Sequence, residues 1–122
     1  MSDMIHWKML THPRQIDEVI TLSKQKPCVI FKHSTRCSVS AVAKYRLDSD
    51  WNFAEREVDV FLVDVIAHRD LSQQIASKLG VYHESPQLLL IRDGECVYDA
   101  SHLDISVADL RECRECFEFL TQ

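Results

Sequence analysis

Read from its amino terminus, the chain changes hydrophobic period several times, and each change marks an element. Residues 5–10 are short and mixed, the pattern of an edge strand. His12-Pro13 then reads as a helix start, because proline in a first turn lacks only an N–H that has no partner there. Ile16, Val19, Ile20 and Ser23 supply one face of that helix, and Pro27 ends the connection after it. Residues 28–31 are an unbroken apolar run rich in β-branched and aromatic side chains, as in a strand covered on both faces. The polar stretch 32–40 leads into a helix with Val39, Ala43 and Leu47 at spacings of four, which Asp48-Ser49-Asp50 is expected to break.

Residues 58–65 form the next strand, with Val60, Phe61, Leu62 and Val63 as its apolar centre. Leu71, Ile75 and Leu79 mark a third helix, and Gly80 is well placed as its stop. Pro86 introduces the apolar strand 87–91; Asp93-Gly94 is a hairpin turn, and 95–100 is its antiparallel partner. Ser106 with Asp109 starts a last helix, whose buried stripe is Leu110, Cys113, Phe117 and Leu120. The order is β-α-β-α-β-α-β-β-α. Alternation in the first half favours parallel pairing through right-handed crossovers, and the closing hairpin adds antiparallel strands. The expectation is an α/β fold, a central mixed sheet of about four to five strands flanked by helices, in one domain over residues 1–122.

Composition narrows the function more than the fold. A formal net charge of −5 with no Lys/Arg cluster argues against a nucleic-acid partner. No run approaches the roughly 18 apolar residues of a membrane span. The first residues lack the apolar stretch of a signal peptide, so a cytoplasmic setting with reduced thiols is expected. Five cysteines at irregular spacing are then separate thiols rather than a disulfide framework. The six histidines show no H-x-x-x-H or H-E-x-x-H spacing, so neither a metal nor any other bound cofactor is expected.

Chemistry concentrates at Lys32-His33-Ser34-Thr35-Arg36-Cys37-Ser38-Val39-Ser40, where a buried strand ends and a helix begins just after Cys37. A sulfur there faces unpaired N–H groups and the positive end of the helix dipole, with Arg36 adjacent, and that setting favours the thiolate, the nucleophilic form.

Cys37-Ser38-Val39-Ser40 resembles the C-x-x-C motif of thioredoxins with serine in the second position. The segment Gly80-Val81-Tyr82-His83-Glu84-Ser85-Pro86-Gln87-Leu88-Leu89-Leu90-Ile91-Arg92-Asp93-Gly94-Glu95 is similar to the thioredoxin segment around the cis-proline and final hairpin. This implies a thioredoxin-like fold, a cis Ser85–Pro86 bond close to Cys37, and a substrate site lined by Ser85 and Pro86. More narrowly, Phe31-Lys32-His33-Ser34-Thr35-Arg36-Cys37 resembles the signature of the monothiol bacilliredoxins, YtxJ-type redox-active proteins of the bacillithiol system. That family commonly reads Pro-Ile-Ser after the cysteine, where this chain has Ser38-Val39-Ser40. The resemblance implies a monothiol thiol–disulfide oxidoreductase. Its co-substrate is bacillithiol, a low-molecular-weight thiol, and its partners are S-thiolated client proteins. Cys37 is the nucleophile. Arg36 and Ser40 are expected to stabilise its thiolate, and Lys32, His33, Thr35, Ser85 and Pro86 are expected to contact substrate. For Ser40 the competing reading is ordinary first-turn polarity; for Lys32, His33 and Arg36 it is solvated surface charge.

Other candidates are weaker. Cys113-Arg114-Glu115-Cys116 lies inside a helix rather than at its start; Cys113 reads as packing and Cys116 as partly exposed. Cys28 reads as core, the facing of Cys96 stays open, and Trp7 and Trp51 read as packing anchors. Two rivals to the oxidoreductase reading stay open: a non-catalytic binding or regulatory module of the same fold, and a glutaredoxin-like activity with another small thiol.

Overall fold

The computed structural model describes residues 5–121, with side chains through Glu115. Its elements are β1 (Lys8–Met9), α1 (Arg14–Leu22), β2 (Cys28–His33), α2 (Ser38–Asp50), β3 (Asp59–Asp64), α3 (Arg69–Leu79), β4 (Gln87–Arg92), β5 (Glu95–Ser101) and α4 (Val107–Thr121), the order expected from the pattern. A 3-10 turn at His102–Asp104, which no periodic signal announced, joins β5 to α4.

The strands form one mixed sheet in the order β1-β3-β2-β4-β5. β3 runs parallel to both β1 and β2, and β4 runs antiparallel to both β2 and β5. Strand alternation sends side chains to two separate cores. Val29, Phe31, Val60, Leu62, Leu88 and Leu90 meet Ala43 and Leu47 of α2 and Leu110 of α4. Cys28, Ile30, Phe61, Val63, Leu89 and Ile91 meet Ile16 and Val19 of α1 and Leu71 and Ile75 of α3. Cys28 is thus core, as expected. Trp7, Phe31 and Trp51 pack as an aromatic group, with Trp7 lying 5.7 Å from Phe31 and 6.2 Å from Trp51 between centroids. Cys113 packs against the first core. Cys96 is half-buried against the second, which settles its facing. β5 is the long outer edge of the described sheet, and its Glu95, Val97 and Asp99 are exposed.

Several boundaries move for identifiable reasons. The predicted first strand shrinks to two exposed residues, because only Lys8 and Met9 reach the register of Phe61 and Leu62. α2 runs through Asp48 and Ser49 and ends at Asp50, the last residue of the expected breaker, with Trp51 as its C-cap. Asp48 is held there, accepting hydrogen bonds from Lys44 Nζ at 2.7 Å, one turn back, and from Trp7 Nε1 at 3.3 Å. The buried stripe of α2 is Ser40, Ala43 and Leu47, with Val39 only half-buried. α3 ends at Gly80, in the left-handed region with φ 66°, and Asp93 and Gly94 turn the hairpin with φ 54° and 82°. Ser106 Oγ accepts from Asp109 N–H at 3.1 Å, the expected start of α4. The Cys116, Phe117 and Leu120 side chains lie outside the described residues. Among those described, no helix is long and apolar enough to cross a membrane.

Candidate active site

β2 and β3 end side by side at His33 and Asp64, with Val65 N–H donating to His33 O at 3.0 Å. The carboxyl ends of adjacent parallel strands open a crevice, the usual place for a site in such sheets. The chain leaves β2 in a turn over residues 34–37, closed by Cys37 N–H donating to Ser34 O at 3.3 Å. Cys37 is the N-cap of α2, in extended conformation and half-buried, with no side-chain cap bond. Its sulfur therefore sits at a helix end whose first N–H groups have no acceptor within the helix. Thr35 and Arg36, at the turn's tip, are exposed.

Ser40, fully buried, braces this turn from below. Its hydroxyl accepts from Ser34 N–H at 2.9 Å and lies 2.6 Å from His33 Nδ1. Burial first, and Lys44 second, hold His33 below the ordinary histidine range. The ring and the Ser40 hydroxyl share this one hydrogen bond, whichever neutral tautomer is present. The thiolate stabilisation expected of Ser40 is not seen as a direct contact with Cys37, because these contacts engage the hydroxyl with Ser34 and His33. His33 also stacks on Phe31 at 5.6 Å between ring centroids. It belongs to the support of the turn rather than to solvated surface.

Lys32 corrects the sequence reading more sharply. Strand alternation turns it away from α2, onto the α1/α3 side with Cys28 and Ile30, and it is 0% exposed. Its ammonium donates to Ser72 O at 3.2 Å and to His83 Nδ1 at 3.1 Å, so it meets neither solvent nor a surface ligand. Burial alone pushes it down to about 8.

The Ser85–Pro86 bond is cis, as expected. Pro86 is buried and stands one step beyond the last β2–β4 pair, Lys32 with Gln87, so it comes to the same end of the sheet as the turn bearing Cys37. The Ser85 hydroxyl is buried with no hydrogen-bond partner among the described residues. Gln87, His83 and Ser34 were not singled out from the sequence. Gln87 did leave a signal, as a polar residue heading an otherwise apolar strand.

Cys28 and Cys96 lie on strands, with no helix start behind the sulfur. Burial, then Asp59, pushes Cys28 up to about 12, and burial pushes Cys96 up to about 11, so both are protonated and poor nucleophiles at neutral pH. An open groove of about 750 Å³ lined by Lys8, Lys26, Trp51, Phe53 and Asp59 lies at the far end of the sheet. Both of its lysines pair with Asp59 and no cysteine lines it, so it is remote from the thiol chemistry. Among the described residues no group of three or more His, Cys, Asp or Glu is placed to hold a metal ion.

Residues 8–110 match the family model of the monothiol bacilliredoxin BrxC. Among solved structures, the chain is similar to a protein assigned as an oxidoreductase with a thioredoxin fold, at 35% identity and TM-score 0.73, over 86% of this chain and 90% of that one. Thioredoxin from Malassezia sympodialis shares 18% identity at TM-score 0.67, over 90% and 89% of the two chains. Thioredoxin from Fasciola hepatica shares 21% at TM-score 0.65, over 89% and 97%. These last two speak to the fold alone, and it is the thioredoxin fold.

Proposed function

The chain belongs to the monothiol bacilliredoxin family, a group of thioredoxin-fold thiol redox proteins, and from that premise we propose that it removes bacillithiol from mixed disulfides on protein cysteines. The Cys37 thiolate attacks the bacillithiol sulfur of the protein–S–S–bacillithiol adduct. The client's thiolate leaves and takes a proton from water, and Cys37 keeps the small thiol as a mixed disulfide. A second bacillithiol thiolate then attacks that adduct, releasing bacillithiol disulfide and restoring Cys37. No second protein cysteine takes part, and position 40 offers only a serine.

The observation that carries the reading is the place of Cys37, half-buried at a helix start, whereas the Cys28 and Cys96 thiols lie on strands and are held protonated by their surroundings. Rates of thiol exchange follow thiolate fraction and access. The exposed Thr35 and Arg36 are positioned to meet the carboxylates of the small thiol. The client lies along Ser85–Pro86, and the unpartnered Ser85 hydroxyl is a group a client's backbone can satisfy. The setting is cytoplasmic, where client thiols are kept reduced.

The test is a single turnover on a protein bearing one bacillithiol mixed disulfide, without free thiol, followed by peptide mapping. The client's thiol is expected to be released and the adduct to sit on Cys37; Cys37→Ser abolishes release, while Cys28→Ser and Cys96→Ser retain it. Activity surviving in Cys37→Ser, or an adduct mainly on Cys113 or Cys116, overturns the mechanism. Activity on glutathione adducts but not on bacillithiol adducts keeps the mechanism and overturns the co-substrate.

A further inference from the structure

Two buried polar side chains sit under residues 81–86 and take no part in the thiol exchange itself. Lys32 and Gln87 are cross-strand partners on β2 and β4, 0% and 1% exposed, and both project to the α1/α3 side of the sheet, away from α2. Gln87 Nε2 donates to Tyr82 O at 3.0 Å, and Glu84 N–H donates to Gln87 Oε1 at 3.4 Å. Between these two contacts the Lys32 ammonium donates to His83 Nδ1, and its other described bond, to Ser72 O, ties the same amine to the first turn of α3. Three successive loop residues, 82, 83 and 84, are thus each held by one of the pair. Beyond them, Pro86 O accepts from His102 N–H at 3.0 Å. The Tyr82 side chain, 94% exposed, contributes nothing to this anchoring; the loop is held by its backbone and by the His83 ring.

The lysine is the informative member. An ammonium is among the costliest groups to bury, and burial without a compensating charge is the sole cause of its depressed ionisation. An apolar side chain of the same length would suit the neighbouring Cys28, Ile30 and Leu89 better. What an apolar side chain cannot do is donate to His83.

We infer that Lys32 and Gln87 are positioning residues for client capture: they fix the backbone of residues 82–84, and so the Ser85–Pro86 edge, in the conformation against which the client chain aligns. This rests on the reading above that the client lies along that edge. A loop ordered when the protein folds does not have to be ordered again when a client arrives, so the clamp raises affinity without touching the reacting sulfurs.

The experiment compares wild type with Lys32→Met, His83→Ala and His83→Asn. KM and kcat are measured for thiol release from a single-cysteine protein carrying a bacillithiol mixed disulfide, and amide hydrogen exchange is followed at residues 82–85. Lys32→Met and His83→Ala are expected to raise KM about tenfold, as for losing the order of a residue or two, with kcat changed less than about twofold. Both speed exchange at 82–85. His83→Asn, which keeps an acceptor near the Nδ1 position, recovers most of the exchange protection and of the KM. Exchange in the core strands β2 and β4 is expected to stay at the wild-type rate in Lys32→Met, so its loss of capture is not a loss of fold. Wild-type KM and wild-type exchange at 82–85 in Lys32→Met would overturn the clamp. If wild type releases no client thiol, the functional reading fails instead, and the exchange comparison still decides whether Lys32 holds the loop.

Discussion

At position 40 one serine hydroxyl serves two neighbours, accepting from Ser34 N–H and sharing a hydrogen bond with His33 Nδ1. Removing the hydroxyl leaves two buried groups unpartnered at once. Ser40→Ala is therefore expected to cost about 1–3 kcal/mol of stability, read by urea denaturation; an unchanged midpoint would show that water replaces the hydroxyl without loss. Single residues were unevenly legible in the sequence. Cys37 was readable because its chemistry depends on a local junction, a strand end followed by a helix start. Lys32 was not, because a lysine after an apolar run looks like the strand's exit into solvent, and only its parity with Cys28 and Ile30 places it inside. Cys96 escaped for another reason. The register between β4 and β5 slips at Leu90/Ile91, so Cys96 faces Ile91 and the second core, while Tyr98 and Ala100, set against Leu90 and Leu88, face the first.

Among the elements, α3 shows most directly how an end signal works. Gly80 adopts φ 66°, and its N–H closes the last turn by donating to Ala76 O. A Cβ built there meets nothing within 4 Å, so the cost of adding one is the backbone's alone. Gly80→Ala should lose about 1–2 kcal/mol, visible as a lowered thermal midpoint without a change in the packing of Ile75; a larger loss would point to a clash that the open space around Gly80 does not contain. The stop was legible because it depends on one residue type. The end of α2 was not. Asp48-Ser49-Asp50 looks like a breaker in isolation, but Lys44 and Trp7 both bind Asp48, and Trp7 lies on a segment far away in sequence. Local propensity yields where a distant side chain supplies the missing partner.

At the scale of the whole molecule, β2 joins the parallel half of the sheet to its antiparallel half, and both cores close over it. The strand order was legible in outline from alternation and hairpin. The Lys32–Gln87 pairing was not, since it depends on a register that no local pattern encodes. The same burial shapes the response to acid. His33 and His83 are held below the ordinary 6.5, in both cases chiefly by burial. Below that pH the unfolded chain binds protons that the native state refuses, so stability falls as pH drops. Glu57 is also lowered from its ordinary 4.5, first by the Ala54 N–H bond and then through Arg111. It stays ionised when its unfolded counterpart takes a proton, so the sign is the same. Thermal midpoints followed from pH 7 to pH 4, below the range in which Lys32 titrates, should hold level to about 6.5, fall below it, and steepen again below about 4.5. A midpoint level between pH 7 and pH 5 would contradict the burial of the two histidines.

The two edges of the sheet differ in what they offer a neighbour. β1 presents two residues, too few to template anything, whereas β5 presents seven. A free edge of that length is an open invitation to strand-by-strand stacking with other copies. Glu95 and Asp99 stand exposed on either side of Val97. A second copy pairing its own β5 antiparallel about Val97 would set Glu95 against Asp99, and like charges across a strand pair are unfavourable. In a crowded cell, where aggregation is a standing hazard for exposed strands, such charges disfavour self-pairing along this edge.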